Sequence, residues 1–193
     1  MDAYQILKEI HRVGHPLTGT VIGYENPKLI NGKLIGGKIL LDANLELKVV
    51  IPFYDFFDDY NEYDKNLLPK IGAHITTVIK NYVDGTLYVS AKKSDVSEEE
   101  ICSFKAFYEF VDERKIGEKV TGIVKGVTSF GLFVEIENKH VGLIDIGHYS
   151  FNYGERLPVD RLAWPKEGDS INCLIAYFRF HNRQIGLGWL PKE

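Results

Sequence analysis

Between Gly117 and Ile146 the chain alternates β-branched residues with polar and small ones over three short runs, Lys119 to Val127, Gly131 to Ile136 and Val141 to Ile146. A period of two marks half-buried strands, and runs this short between turn residues are strands rather than helices. A small, sharply curled sheet follows. Gly126 and Gly131 fall where such a sheet must bend, and a residue without a Cβ relieves crowding at a barrel corner or bulge. Because neighbours on a strand face opposite ways, Leu132 and Val134 share one side and Phe133 takes the other, with Phe130 flanking the bend. Leu132 and Val134 are therefore expected inside, and both phenylalanines outside.

The same residues resemble a known family. Gly122-Ile-Val-Lys-Gly-Val-Thr-Ser-Phe-Gly-Leu-Phe-Val134, then Val141-Gly-Leu-Ile144, Glu167-Gly-Asp-Ser-Ile171 and Ile185-Gly-Leu187, are similar to the S-one domain, the RNA-binding OB-fold module named after the largest small-subunit ribosomal protein. The resemblance covers nearly all of residues 117–193 and implies a five-stranded barrel that binds single-stranded RNA. Phe130 and Phe133 match the two aromatics on which that family stacks bases, each stacked base contributing roughly 1–3 kcal/mol. Lys125 on the first strand and Arg179, His181 and Arg183 near the last turn would supply charge for phosphates.

The chain departs from that pattern in three places. Asp145 stands where the family commonly has a His near the end of the third strand, and Phe180 or His181 where it has an Asp. Gln184 occupies the place of a base at the start of the fifth strand, with Arg183 one residue earlier. A shift of one residue on a strand turns a side chain to the opposite face. Residues 117–193 carry nine Lys and Arg against nine Asp and Glu. Weak binding, micromolar or poorer, with a shallow salt dependence is the expectation.

Upstream, Asp2 to Val13 places Ile6, Leu7, Ile10 and Val13 on one helical face, with Asp2 as N-cap and Gly14 as stop. A second series of strands follows: Thr18 to Tyr24, Lys33 to Asp42, Glu46 to Ile51, Ala73 to Tyr82 and Thr86 to Ala91. Asn31-Gly32, Gly36-Gly37, Asp42-Ala-Asn44 and Asp84-Gly85 supply the turns. Gly19-Thr-Val, Ile71-Gly-Ala-His-Ile75 and Leu87-Tyr-Val-Ser90 resemble, in order, Gly122-Ile-Val, Glu167-Gly-Asp-Ser-Ile171 and Ile185-Gly-Leu-Gly188. An interval of about one hundred residues indicates tandem domains, since solenoid repeats are shorter. Where the paired aromatics should lie, the first copy has a longer loop, Tyr24-Glu-Asn-Pro-Lys-Leu-Ile-Asn-Gly32, so it is expected to keep the barrel without the platform.

Residues 53–64, Phe-Tyr-Asp-Phe-Phe-Asp-Asp-Tyr-Asn-Glu-Tyr-Asp, hold five acids and no base. They read as an insertion whose aromatics close a barrel end while the acids stay solvated, or as a surface that receives a basic protein. Ser97-Glu-Glu-Glu100 opens like a capping box, and Ile101, Phe104, Tyr108 and Val111 fall at helical spacing, which predicts a helix packed on one or both barrels. Asp160 to Trp164 has room for one helical turn that plugs the second barrel.

The expected fold is mainly β: an N-terminal helix (1–16), a degenerate OB domain (17–96), an amphipathic linker helix (97–116) and an OB domain (117–193). Six scattered His and two Cys have no metal-ligand spacing, and no nucleophile elbow or phosphate loop is present, so neither a catalytic site, a metal nor another cofactor is expected. His15 and His140 read as solvated turn residues. Two cysteines in 193 residues fit a reducing compartment, and the first residues are neither a signal peptide nor a membrane span. These readings point to a cytoplasmic, non-catalytic RNA-binding accessory or regulatory protein in translation or RNA metabolism. The alternative is a protein-interaction module that docks a protein or ribonucleoprotein partner.

Overall fold

The computed structural model describes residues 2–30, 33–58, 64–137, 139–147 and 154–191. The Asn31-Gly32 turn, residues 59–63 of the acidic segment and the start of the connection after Gly147 lie outside them. The chain divides into two compact units, residues 1–107 and 108–193.

In the first unit, strands β1 (Pro16–Glu25), β4 (Lys38–Asp42), β5 (Lys48–Pro52), β6 (His74–Val83) and β7 (Thr86–Ser90) close into a barrel in the order β1-β4-β5-β7-β6. The second unit repeats it with β8 (Lys119–Thr128), β9 (Gly131–Ile136), β10 (His140–Asp145), β11 (Ser170–Arg179) and β12 (Gln184–Leu190). All pairings are antiparallel except β5 with β7 and β10 with β12. This is the five-stranded Greek-key topology of an OB fold.

The likeness of the two barrels extends to single hydrogen bonds. Gly14 N donates to Ile79 O at 2.7 Å in the first, and Gly117 N to Ile175 O at 2.7 Å in the second. Val21 and Gly72 exchange with Ala73 and Val21 as Val124 and Gly168 do with Asp169 and Val124. Both entry glycines have positive φ, +80° at Gly14 and +87° at Gly117, a conformation that costs a Cβ-bearing residue about 1 kcal/mol or more. Each barrel also carries one bulge on its first strand, after Val21 and after Val124, and one on its fourth, after Ile79 and after Ile175.

Inside, the period-two rule holds. Leu132, Val134, Ile136, Ile144, Ile175 and Ile185 are buried in the second barrel, and Val21, Ile39, Leu41, Val49, Ile51 and Leu87 in the first. Each such side chain withdrawn from water is worth about 1.5–3 kcal/mol before entropy is counted.

Several local expectations are corrected. The run from Lys33 to Asp42 is two strands, because Gly36 and Gly37 both adopt positive φ; β2 (Lys28–Ile30) and β3 (Lys33–Ile35) form a hairpin of their own. Residues 28–30 of the longer loop after Tyr24 are therefore strand, and the Tyr24 hydroxyl donates to Pro69 O. The N-terminal helix starts as drawn, with Asp2 Oδ1 accepting from Gln5 N at 2.9 Å, but Ile6–Ile10 is a π turn closed by His11 N to Ile6 O. That wider turn rotates Ile10 out of the stripe, and it is 56% exposed while Leu7 and Val13 are buried. In the acidic segment Phe53 and Phe57 are buried, yet Asp55 is half-buried and burial pushes its carboxyl up, against the lowering by Lys92 and Lys80. His140 begins β10 and packs on Phe110 with ring centroids 4.4 Å apart, instead of standing in a solvated turn.

The linker helix (Glu98–Glu113) is capped by Ser97, whose Oγ accepts from Glu100 N at 3.3 Å. Its apolar stripe is used: Phe104 lies against Gly14, and Tyr108 stacks on Phe180 at 5.6 Å. One 3-10 turn, Arg161–Ala163, forms as expected with Asp160 Oδ1 accepting from Leu162 N, and buries Trp164 while Leu162 stays in solvent.

Candidate nucleic-acid interface

The register of the second barrel sets residues from every strand in one outward row. Gly126 on β8 pairs with Phe133 on β9, Phe133 with Leu143 on β10, Leu143 with Gly186 on β12, and Gly186 with Tyr177 on β11. Paired residues point to the same face. Beside this row the β8–β9 turn ends in Phe130, whose carbonyl accepts from Ile146 N at 3.0 Å. Gly131 makes the bend possible: its φ is +152°, and a Cβ there would lie 2.1 Å from Ile144 O.

Phe130 is 49% exposed and Phe133 half-buried. Their rings meet edge to face, centroids 5.9 Å apart at 90°. That contact braces the two rings against each other and leaves Phe130 half in water, as a stacking platform needs.

The cations are placed less uniformly. Lys125 sits at the β8 bulge, and its ammonium is 3.0 Å from Glu135 Oε1, so its charge is partly neutralised. Arg179 ends β11 on the face of the row, its guanidinium 4.9 Å from the Tyr177 ring centroid and its Nη1 donating to Gln184 Oε1 at 3.2 Å. His181 is exposed in the turn Phe180–Asn182, on the far side of Arg179 from the phenylalanines in sequence. Arg183 belongs to the turn, not the strand: it takes φ +53° and donates its N–H to Phe180 O. Asp145 pairs with Gly131 in register, and its Oδ1 accepts from Gly147 N at 2.7 Å. Among the described residues no cluster of His, Cys, Asp and Glu could hold a metal.

Residues 113–157 match the family model of the S1 RNA binding domain. That match takes in β8, β9, β10 and both phenylalanines. A small ribosomal subunit protein bS1 of Rickettsia typhi is 30% identical over 87 residues, 45% of this chain and 15% of that protein. Ribonuclease R 1 of Lactococcus lactis is 47% identical over 53 residues, 25% of this chain and 6% of that one. Among solved structures, Mycoplasma genitalium RNase R in complex with ribose-methylated single-stranded RNA is 20% identical over 48% of this chain and 15% of its own, with a TM-score of 0.37. The chain thus spans only 15% or less of the length of these curated relatives.

Tyr177, Leu143 and Gly186 escaped the sequence reading. The signal was present: Tyr177 and Arg179 are two apart on one strand and so share a face, opposite a strand that reads Ile-Gly-Leu-Gly. What sequence did not supply was the register that brings that face beside Phe133.

Proposed function

We propose that this chain is a non-catalytic RNA-binding protein, cytoplasmic and accessory or regulatory in role, that holds single-stranded RNA on the outer face of its S1-type barrel. Nucleic-acid binding is the part of this reading that the S1 match supports; the half-exposed ring is what favours a single strand. The observation that carries it is the half-exposed Phe130 ring braced edge to face on Phe133, at the end of a row that is otherwise apolar. Flat apolar rings accept unpaired bases, whose faces a duplex keeps stacked away.

Binding is weak in this reading. Lys125 is tied to Glu135, and Arg114 is tied to Glu118 and Glu137. With nine Lys and Arg balanced by nine Asp and Glu over residues 117–193, the salt dependence on a log–log scale is shallower than about −2. The test is a fluorescence titration of a short unstructured RNA with the full chain. Phe130→Ala combined with Phe133→Ala is expected to weaken binding at least tenfold, from stacking worth about 1–3 kcal/mol per base. Unchanged affinity in that double variant would remove the platform.

A further inference from the structure

The outward row does not end at Phe133. Two strands further on, about 10 Å at the usual strand spacing, the Tyr177 ring lies flat over Gly186, where a Cβ would sit 2.1 Å from Tyr177 Cε1. Only glycine leaves room for the ring. On that ring rests the guanidinium of Arg179, 4.9 Å from its centroid, steered from the side by Gln184 Oε1 at 3.2 Å. Gln184 Oε1 also accepts from Asn182 Nδ2 at 3.4 Å, which holds the amide itself in place. Arg179 is exposed, and among the described residues no carboxylate stands within ion-pair distance of it. Lys125 differs on that point.

We propose that Arg179, laid on Tyr177 and Gly186, is a third stacking plane for RNA, taking the nucleotide beyond those on Phe130 and Phe133. This rests on the reading of the second barrel as a single-stranded RNA platform and adds a subsite to it. A guanidinium is planar and weakly hydrated, so it can cover a base with one face while a ring supports the other. The site needs three things together: a glycine floor, an aromatic support and a cation held by an amide. Tyr177 stays a neutral phenol for this purpose, because burial and Asp145 push its pKa up against the lowering by Arg179. Leu143, buried between Phe133 and Gly186 in the row, makes the floor between the two ends apolar.

The substitution that separates stacking from simple charge is Arg179→Lys, which keeps the cation on an exposed position and removes the plane. In a titration of oligouridylate with the full chain at fixed salt, Arg179→Lys is expected to weaken binding about fivefold with an unchanged salt slope. Tyr177→Ala should reproduce that loss, and Tyr177→Phe should bind as the wild type does. Wild-type affinity in Arg179→Lys would overturn the subsite, because a contact to phosphate alone accepts either cation. Failure here is distinct from failure of the platform: the Phe130, Phe133 double variant would still lose affinity in the first case and would not in the second. No binding by the wild type would overturn both.

Discussion

The two barrels share a backbone and differ in what they hang on one face. The register makes the comparison residue by residue: Gly23 pairs with Leu40 as Gly126 pairs with Phe133, and Asn81 pairs with Tyr88 as Tyr177 pairs with Gly186. So where the second barrel has Lys125, Phe130 and Phe133, the first has Ile22, Gly37 and Leu40. Gly37 has no alternative there. Its φ is +85°, and a Cβ would lie 2.5 Å from Phe53 Cδ2, so an aromatic at that place is blocked by the first phenylalanine of the acidic segment. The result is a shallow groove of about 300 Å³ with Leu40, Leu45 and Leu47 in its wall and Ile22 57% exposed at its edge. Closure of the barrel constrains backbone hydrogen bonds and interior volume, and leaves the outer face open to drift.

The sharpest way to break this comparison is at the first strand, where both barrels place a glycine. A Cβ on Gly122 would meet Val134 Cγ1 at 2.5 Å and Glu135 O at 2.7 Å, whereas on Gly19 the nearest atom, Asp42 O, is 3.1 Å away. Gly122→Ala is expected to destabilise by about 3 kcal/mol and Gly19→Ala by about 1 kcal/mol. Both tryptophans, Trp164 and Trp189, lie in the second unit, so their fluorescence in urea reports Gly122→Ala directly, and far-UV circular dichroism over the same titration reports Gly19→Ala. Equal shifts in the two variants would show that the barrels are packed more alike than these distances imply.

A smaller effect tests whether the outer face alone separates the two functions. Leu40→Phe with Ile22→Lys, introduced into the Phe130, Phe133 double variant, gives the first barrel one ring and one cation. Recovery of about 1 kcal/mol of RNA affinity, roughly one stacked base, is the expected outcome of the same titration. No recovery would mean that the fixed pair of rings, not exposure of a single one, is what binds.

Smaller again is the release of Lys125. Glu135→Gln removes its partner at 3.0 Å and should improve RNA binding by about 0.2–1 kcal/mol while steepening the salt slope. The smallest effect is shared by both units. Burial lowers the pKa of His11 in the first and of His140 in the second. A depressed histidine pKa means that the unfolded chain takes up the proton first, so stability is intact above the ordinary histidine pKa and falls as pH drops through the lowered folded value. Melting temperature should therefore decline slightly from pH 7 to pH 5, and less so in His140→Phe; an identical decline in that variant would place the effect elsewhere.

Much of this was legible in the residues themselves. Period-two alternation fixed which residues of β8 to β10 face inward, glycines marked the bends, and Ser97 and Asp2 marked helix starts, because each depends on chemistry within a few positions. Gly36-Gly37 was legible as a turn, but not as one that splits the run from Lys33 to Asp42 into two strands, because two glycines fit a bend within a strand or a break between strands equally until the neighbouring Phe53 decides. The pairing of Phe130 with Phe133 was also legible, being three residues apart around one turn. Tyr177 was not, for its place beside the platform depends on two bulges and on a parallel pairing between strands about forty residues apart.

By itself, then, the sequence determined two β-rich repeats and a pair of outward aromatics in the second. Only the closed barrel decided that Lys125 is paired with Glu135, that Arg183 belongs to a turn, and that Arg179 rests on Tyr177 over Gly186. The physical reason is range: alternation and turn chemistry act between neighbours in sequence, whereas register is set by the closure of the whole sheet, and it is register that carries distant side chains onto one surface.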